Sequence, residues 1–186
     1  MRWYLVGVLF GLVTVSDAAN MPRAELDSIF VSVATHVLES HQLAPWQREG
    51  YTEGLKSRRW ATVKQTIYYP SEGFDRGEGT RWGRGCSERV AASNFLREGT
   101  YLFVVWHHHK QILTQLRQVW DTGADWNDPS ARRAKCDFWV DLWVPKIGYR
   151  GLGNDQIQRN MAVIEYPTPS RSKHWRGKRL QSAQWH

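Results

Sequence analysis

The segment Cys136-Asp137-Phe138-Trp139-Val140-Asp141-Leu142-Trp143-Val144 carries the pattern most suggestive of chemistry. Read as a strand, its side chains alternate between two faces. Phe138, Val140, Leu142 and Val144 form an unbroken apolar face for a core, and Asp137, Trp139, Asp141 and Trp143 share the other. A carboxylate between two indoles suits carbohydrate cleavage. The rings stack on sugar C–H faces, and a partly desolvated carboxyl gains proton affinity toward that of a general acid. An amphipathic strand whose outer tryptophans pack under a loop would show the same alternation, so both readings stand.

A second acid opens Asp121-Thr122-Gly123, at the end of an apolar run where Thr and Gly shape a tight turn. Aspartic proteases use two such turns sharing a proton. With a single copy here, that chemistry requires a homodimer, with Gly151-Leu152-Gly153 as the second apolar-glycine element. His107-His108-His109-Lys110 falls between two strand-like segments, at a hairpin tip. Consecutive strand residues point to opposite sides, so the three histidines cannot all face one metal. Two of them with an outside carboxylate could hold zinc, while a solvated turn explains them without any ligand. No metal or cofactor is expected.

The elements that must position these groups are short strands. Ala61–Tyr69, Val90–Ser93, Tyr101–Trp106, Gln111–Trp120, Asp137–Val144 and Met161–Tyr166 are each bounded by turn residues, which predicts a small all-β barrel or sandwich. Between the first two lies a glycine-rich loop, Ser71–Ser87, containing Asp75 and Cys86. Upstream, Asn20 to His41 reads as an amphipathic helix with Leu26, Ile29, Phe30, Val33 and Val37 on one stripe. Leu43-Ala44-Pro45 ends it, and Arg48 to Arg59 reads as a polar connector.

The chain has 186 residues and a net charge of +7, of which five basic residues and no acid fall from Thr168 onward. Basicity is thus a property of the tail, and a dedicated nucleic-acid-binding domain is not implied. No apolar run reaches the roughly 18 residues of a membrane span. Met1-Arg2-Trp3, the apolar run Tyr4 to Val15, and Ser16-Asp17-Ala18 follow the three-part grammar of a cleaved secretory signal, so a secreted or periplasmic protein is expected. In an oxidising compartment Cys86 and Cys136 could pair; two free thiols are the alternative.

Five blocks occur in order: Thr66-Ile67-Tyr68-Tyr69-Pro70-Ser71-Glu72-Gly73, Val90-Ala91-Ala92-Ser93, Leu96 with Glu98-Gly99-Thr100-Tyr101-Leu102-Phe103-Val104, Val119 with Asp121-Thr122-Gly123, and Val140-Asp141-Leu142-Trp143-Val144. Together they resemble the 3D (three-aspartate) domain, a double-psi β-barrel of the membrane-bound lytic transglycosylase A family and of cell-wall remodelling relatives. The resemblance covers about residues 60 to 166. It implies a mainly β protein, a small six-stranded double-psi β-barrel with an N-terminal helical extension. The expected divisions are a signal peptide (1–18), helical extension and connector (19–59), barrel (60–167) and a basic, disordered tail (168–186).

The resemblance further implies cleavage of peptidoglycan glycan strands between N-acetylmuramic acid and N-acetylglucosamine, without water, leaving a 1,6-anhydro sugar. Asp141 would be the general acid/base and Asp121 its neighbour. Trp139, Trp143, Thr122 and Gly123 would contact substrate. Where the family often has its third aspartate this chain has Ser93, and Asp75 could stand in for it in space. A Cys86–Cys136 disulfide would tether the glycine-rich loop beside the Asp141 strand. The expected partners are glycan strands, met by a monomer, and anionic wall polymers, met by the basic tail. A glycan-binding barrel without catalysis and the homodimeric protease remain the alternatives.

Overall fold

In a computed structural model the described residues are 21–40, 42–69, 87–123, 136–152 and 156–165. The expected signal peptide, the loop bearing Asp75 and Cys86, the segment 124–135 and the basic tail lie outside them. The protein is mainly β: β1 (Arg59–Tyr68), β2 (Val90–Ala92), β3 (Tyr101–His108), β4 (Gln111–Asp121), β5 (Phe138–Trp143) and β6 (Gln156–Ile164) close into one barrel in the order β1-β5-β2-β4-β3-β6. β1 runs parallel to β5 and β2 parallel to β4; the other four pairings are antiparallel. Exchanging β1, β2 and β3 with β4, β5 and β6 leaves both the order and the pairing directions unchanged. This is the internal twofold of a double-psi barrel.

Strand β3 shows why its sequence is apolar without alternation: both of its faces are covered. Leu102, Val104 and Trp106 fill the barrel interior with Val63, Ile67, Val119, Phe138, Val140, Leu142, Met161 and Val163. Tyr101, Phe103 and Val105 face outward, where two helices cover them. β3 turns into β4 through His109-Lys110, both at positive φ (46° and 63°), as a two-residue hairpin matched to strand twist requires.

The helical extension is two helices, α1 (Arg23–Leu38) and α2 (Pro45–Lys56). The apolar stripe of α1 does pack on the barrel: Phe30 is fully buried and meets Phe103 edge to face at 4.9 Å. Asp27 anchors α1 to β1, accepting from Trp60 Nε1 at 2.7 Å and Arg58 Nε at 2.8 Å. The expected connector is instead largely α2. The first helix already ends at Leu38, and Pro45, expected to end it, instead starts the next, where its missing N–H costs nothing. Gly50 and Gly54 let α2 lie flush: a Cβ on either would come within 2.7 Å of Tyr101 or 2.4 Å of Phe30.

Gln65 and Arg117 are the largest polar side chains fully buried in the barrel among the described residues. Arg117 lies opposite the interior residue Leu102. Its Nη1 donates to the carbonyls of Val90 (2.8 Å) and Trp143 (2.6 Å), tying β4 to β2 and β5. Burial lowers its pKa to about 10, against the supporting fields of Tyr68, Glu88 and Tyr149, so it stays charged at neutral pH.

Candidate functional site

Strand register places four residues side by side across four strands: Thr66 on β1, Asp141 on β5, Ala92 on β2 and Asp121 on β4. The two aspartates therefore flank a single alanine. Simple alternation would not do this. Val119 is interior, so Asp121, two residues on, would point inward as well. The register shifts between Ala91 and Ala92, which pair with Val119 and Asp121, leaving Trp120 as an extra residue on β4. Such a bulge reverses the facing of the strand residues beyond it and sets Asp121 on the side of Ala92 and Asp141.

The β5 face follows the alternation read from sequence. Phe138, Val140, Leu142 and Val144 are in the core, and Asp141 and Trp143 are partly exposed on the other side. Trp139 also lies on that side but is only 8% exposed. The buried Lys64 places its ammonium 3.8 Å from the indole centroid, and the indole N–H donates to Thr66 Oγ1 at 2.6 Å. The expected sugar platform at Trp139 is therefore covered, and Trp143 is the more accessible indole of the pair. Thr66 in turn donates its hydroxyl to Asp141 Oδ1.

The Asp-Thr-Gly turn lies against the same carboxylate. Thr122 N–H donates to Asp121 Oδ1 at 2.8 Å, closing the turn on its own acid. A Cβ on Gly123 would sit 2.8 Å from Asp141 Oδ2 and 2.9 Å from the carbonyl oxygen of Ala92, so only glycine fits this approach. Asn94 Nδ2 holds the turn down, donating to the Gly123 carbonyl at 2.5 Å. Ser93 is buried and structural: its N–H donates to the Asp121 carbonyl (2.9 Å), its hydroxyl to the Trp139 carbonyl (3.0 Å), and it accepts from Phe95 N–H (3.2 Å).

Asp137 is exposed and belongs to the lower end of the strand, where its Oδ2 accepts from Thr62 N–H at 2.8 Å. The expected disulfide is not formed: Cys136 carries a free thiol. That thiol is partly buried at the entrance to β5 and bonded to the Lys64 backbone; its burial pushes the pKa up. Asp75 and Cys86 lie outside the described residues.

Thr66, Lys64 and Asn94 complete the site and were not singled out for it by sequence; Ser93, noted there in place of a family aspartate, holds the backbone. Thr66 and Lys64 reach β5 only through a parallel pairing between segments some 75 residues apart. Chemically, the arrangement is a partly exposed carboxyl with one oxygen held by a hydroxyl, a glycine turn against the other, and a second carboxylate two strands away, across Ala92. It is equipped to give and take a proton. Comparison with known proteins yielded no matching family model, no matching curated protein and no matching solved structure.

Proposed function

We propose that this protein is a secreted or periplasmic lytic transglycosylase acting on the glycan strands of peptidoglycan, with Asp141 as its general acid/base. The observation that carries the reading is the placement of Asp141. Its Oδ1 is engaged by Thr66, and the Asp121-Thr122-Gly123 turn closes on its Oδ2. The order of sequence blocks resembling the 3D domain supplies the substrate class.

In the reaction, Asp141 protonates the glycosidic oxygen as the bond from the muramic acid C1 breaks. The 6-hydroxyl oxygen of that same sugar then bonds to C1 and returns its proton to Asp141, leaving a 1,6-anhydro product and consuming no water. A lone acid/base suffices because the sugar brings its own nucleophile, so the two-carboxylate spacing of ordinary glycosidases is not needed. Asp121, across Ala92 from the acid, is placed to stabilise positive charge developing at C1. Trp143 stacks on a flanking sugar. Trp139, covered by Lys64, has a different task.

Digestion of purified sacculi by the mature protein and an Asp141→Asn variant, with released muropeptides read by mass spectrometry, tests the proposal. Anhydro-muropeptides from the wild type alone are expected. Reducing-end products would keep the site but make water the nucleophile. Retention on sacculi without release would indicate a glycan-binding barrel and overturn catalysis.

A further inference from the structure

The bonds leading to Asp141 have a fixed direction. An indole N–H only donates, so in the Trp139–Thr66 contact the threonine oxygen must accept. A threonine hydroxyl has one proton, and its other partner is Asp141 Oδ1, so that proton points at the carboxylate. The ammonium of Lys64, 3.8 Å from the ring centroid, draws electron density from the indole and makes its N–H a stronger donor. Trp139 is 8% exposed and Lys64 4%, so water has little access to this chain of contacts.

We propose that Lys64, Trp139 and Thr66 are positioning residues forming a one-way hydrogen-bond relay that keeps Asp141 Oδ1 an acceptor and so assigns its proton to Oδ2, the oxygen facing the Asp-Thr-Gly turn. This rests on the reading of Asp141 as an acid/base and adds which oxygen does the work. It also reassigns Trp139 from sugar contact to orientation of the acid. A carboxyl whose proton could sit on either oxygen would present it to the glycosidic bond part of the time; the relay removes the unproductive form.

The test is an NMR titration of the full chain. The indole N–H resonance of Trp139, assigned with Trp139→Phe, is followed across pH 3–8 beside the side-chain carboxyl carbon of Asp141. The indole proton is expected to inflect at the pH where Asp141 titrates. That inflection should vanish in Asp141→Asn and Thr66→Val and persist in Thr66→Ser. In sacculus digestion, Thr66→Val should release fragments about tenfold more slowly or worse, the loss of one hydrogen bond to a charged group, and Thr66→Ser should recover most of the rate. Other titrating or charged groups face this region: Asp121 from β4, Lys64 from β1, and Cys136 and Asp137 leading into β5; β2 supplies the uncharged Ala92 here, followed by Ser93.

A wild-type indole resonance that stays flat while Asp141 titrates would overturn the relay, and so would an inflection surviving in Asp141→Asn. Coupled titration in a protein that releases no glycan would leave the relay standing and remove the transglycosylase reading, so the two can fail separately.

Discussion

The two flanks of Asp141 are related by the barrel's internal twofold, yet they are built differently. On one side the β1–β5 ladder is regular from Val63 to Tyr68, and it delivers an uncharged hydroxyl, Thr66, beside the carboxylate. On the other, the corresponding β2–β4 pairing slips by one residue and delivers a second carboxylate, Asp121, followed by a glycine turn. The same topology thus gives Asp141 a donor on its near side and a negative charge across Ala92. Between these two ladders the difference is one extra residue, Trp120 on β4.

Removing the glycine attacks the bulged flank most directly. Gly123→Ala puts a methyl against the Asp141 carboxylate and the Ala92 carbonyl, a backbone atom that cannot move aside. We expect a loss of roughly 1–3 kcal/mol in urea unfolding, as for overpacked sites, together with loss of glycan release. An unchanged midpoint would mean the turn relaxes and the close approach is unimportant.

Making the flanks alike is the next test. Thr66→Asp sets a like charge directly beside Asp141, which raises the proton affinity of the pair in the folded state. A raised folded pKa gives stability at low pH that is lost as pH rises. The variant should therefore match wild type near pH 4 and trail it by about 1–2 kcal/mol near pH 7, one pKa unit being about 1.4 kcal/mol. Equal stability at both pH values would show that the two positions do not sense each other.

A milder change isolates the clamp on the bulged side. Asn94→Ala deletes the bond to the Gly123 carbonyl and should cost about 0.5–1.5 kcal/mol, with slower glycan release from a looser turn. Denaturation and sacculus digestion measure both; a stability loss with full activity would separate the clamp from the site.

The smallest effect is expected far from the row, at the anchor of α1. Asp27 is held below its ordinary pKa, chiefly by the Trp60 indole N–H and also by Arg58, against the opposing effect of partial burial. Its contribution is present above the unfolded carboxylate pKa and is lost as pH falls through the lower folded value. Asp27→Asn should lower the thermal midpoint slightly at pH 7 and not at pH 2. Thr66→Asp likewise trails wild type only as pH rises, but through an added repulsion rather than a lost hydrogen-bonded charge; a deficit in Asp27→Asn that persisted at pH 2 would show that the anchor does not rest on the ionised carboxylate.

How much of this was legible in sequence depended on how far each feature reaches. The alternation of β5 is written in Phe138, Val140 and Leu142, and the double coverage of β3 in its unbroken apolar run; both depend on strand geometry alone. Helix α2 was not legible. Its glycines argue against a helix, and they are tolerated because Tyr101, Phe30 and Ile164 need the space a side chain would fill. The partnership of Thr66 with Asp141 and the covering of Trp139 by Lys64 depend on which strands become neighbours. The bulge at Trp120 is equally silent: Val-Trp-Asp reads as plain alternation until β2 is laid beside it.

The strand order has a consequence for how the chain reaches this state. Among β1, β2 and β3 no two are neighbours, and the same holds among β4, β5 and β6, so every ladder joins one half of the chain to the other. A polypeptide cut at the His109-Lys110 turn would give two fragments, neither able to form a native strand pairing alone. Yet together they should knit into the complete barrel. Among the described strands the β3–β4 hairpin is the one pairing between consecutive strands, and the rest must wait for distant segments to meet, which favours slow, all-or-none assembly.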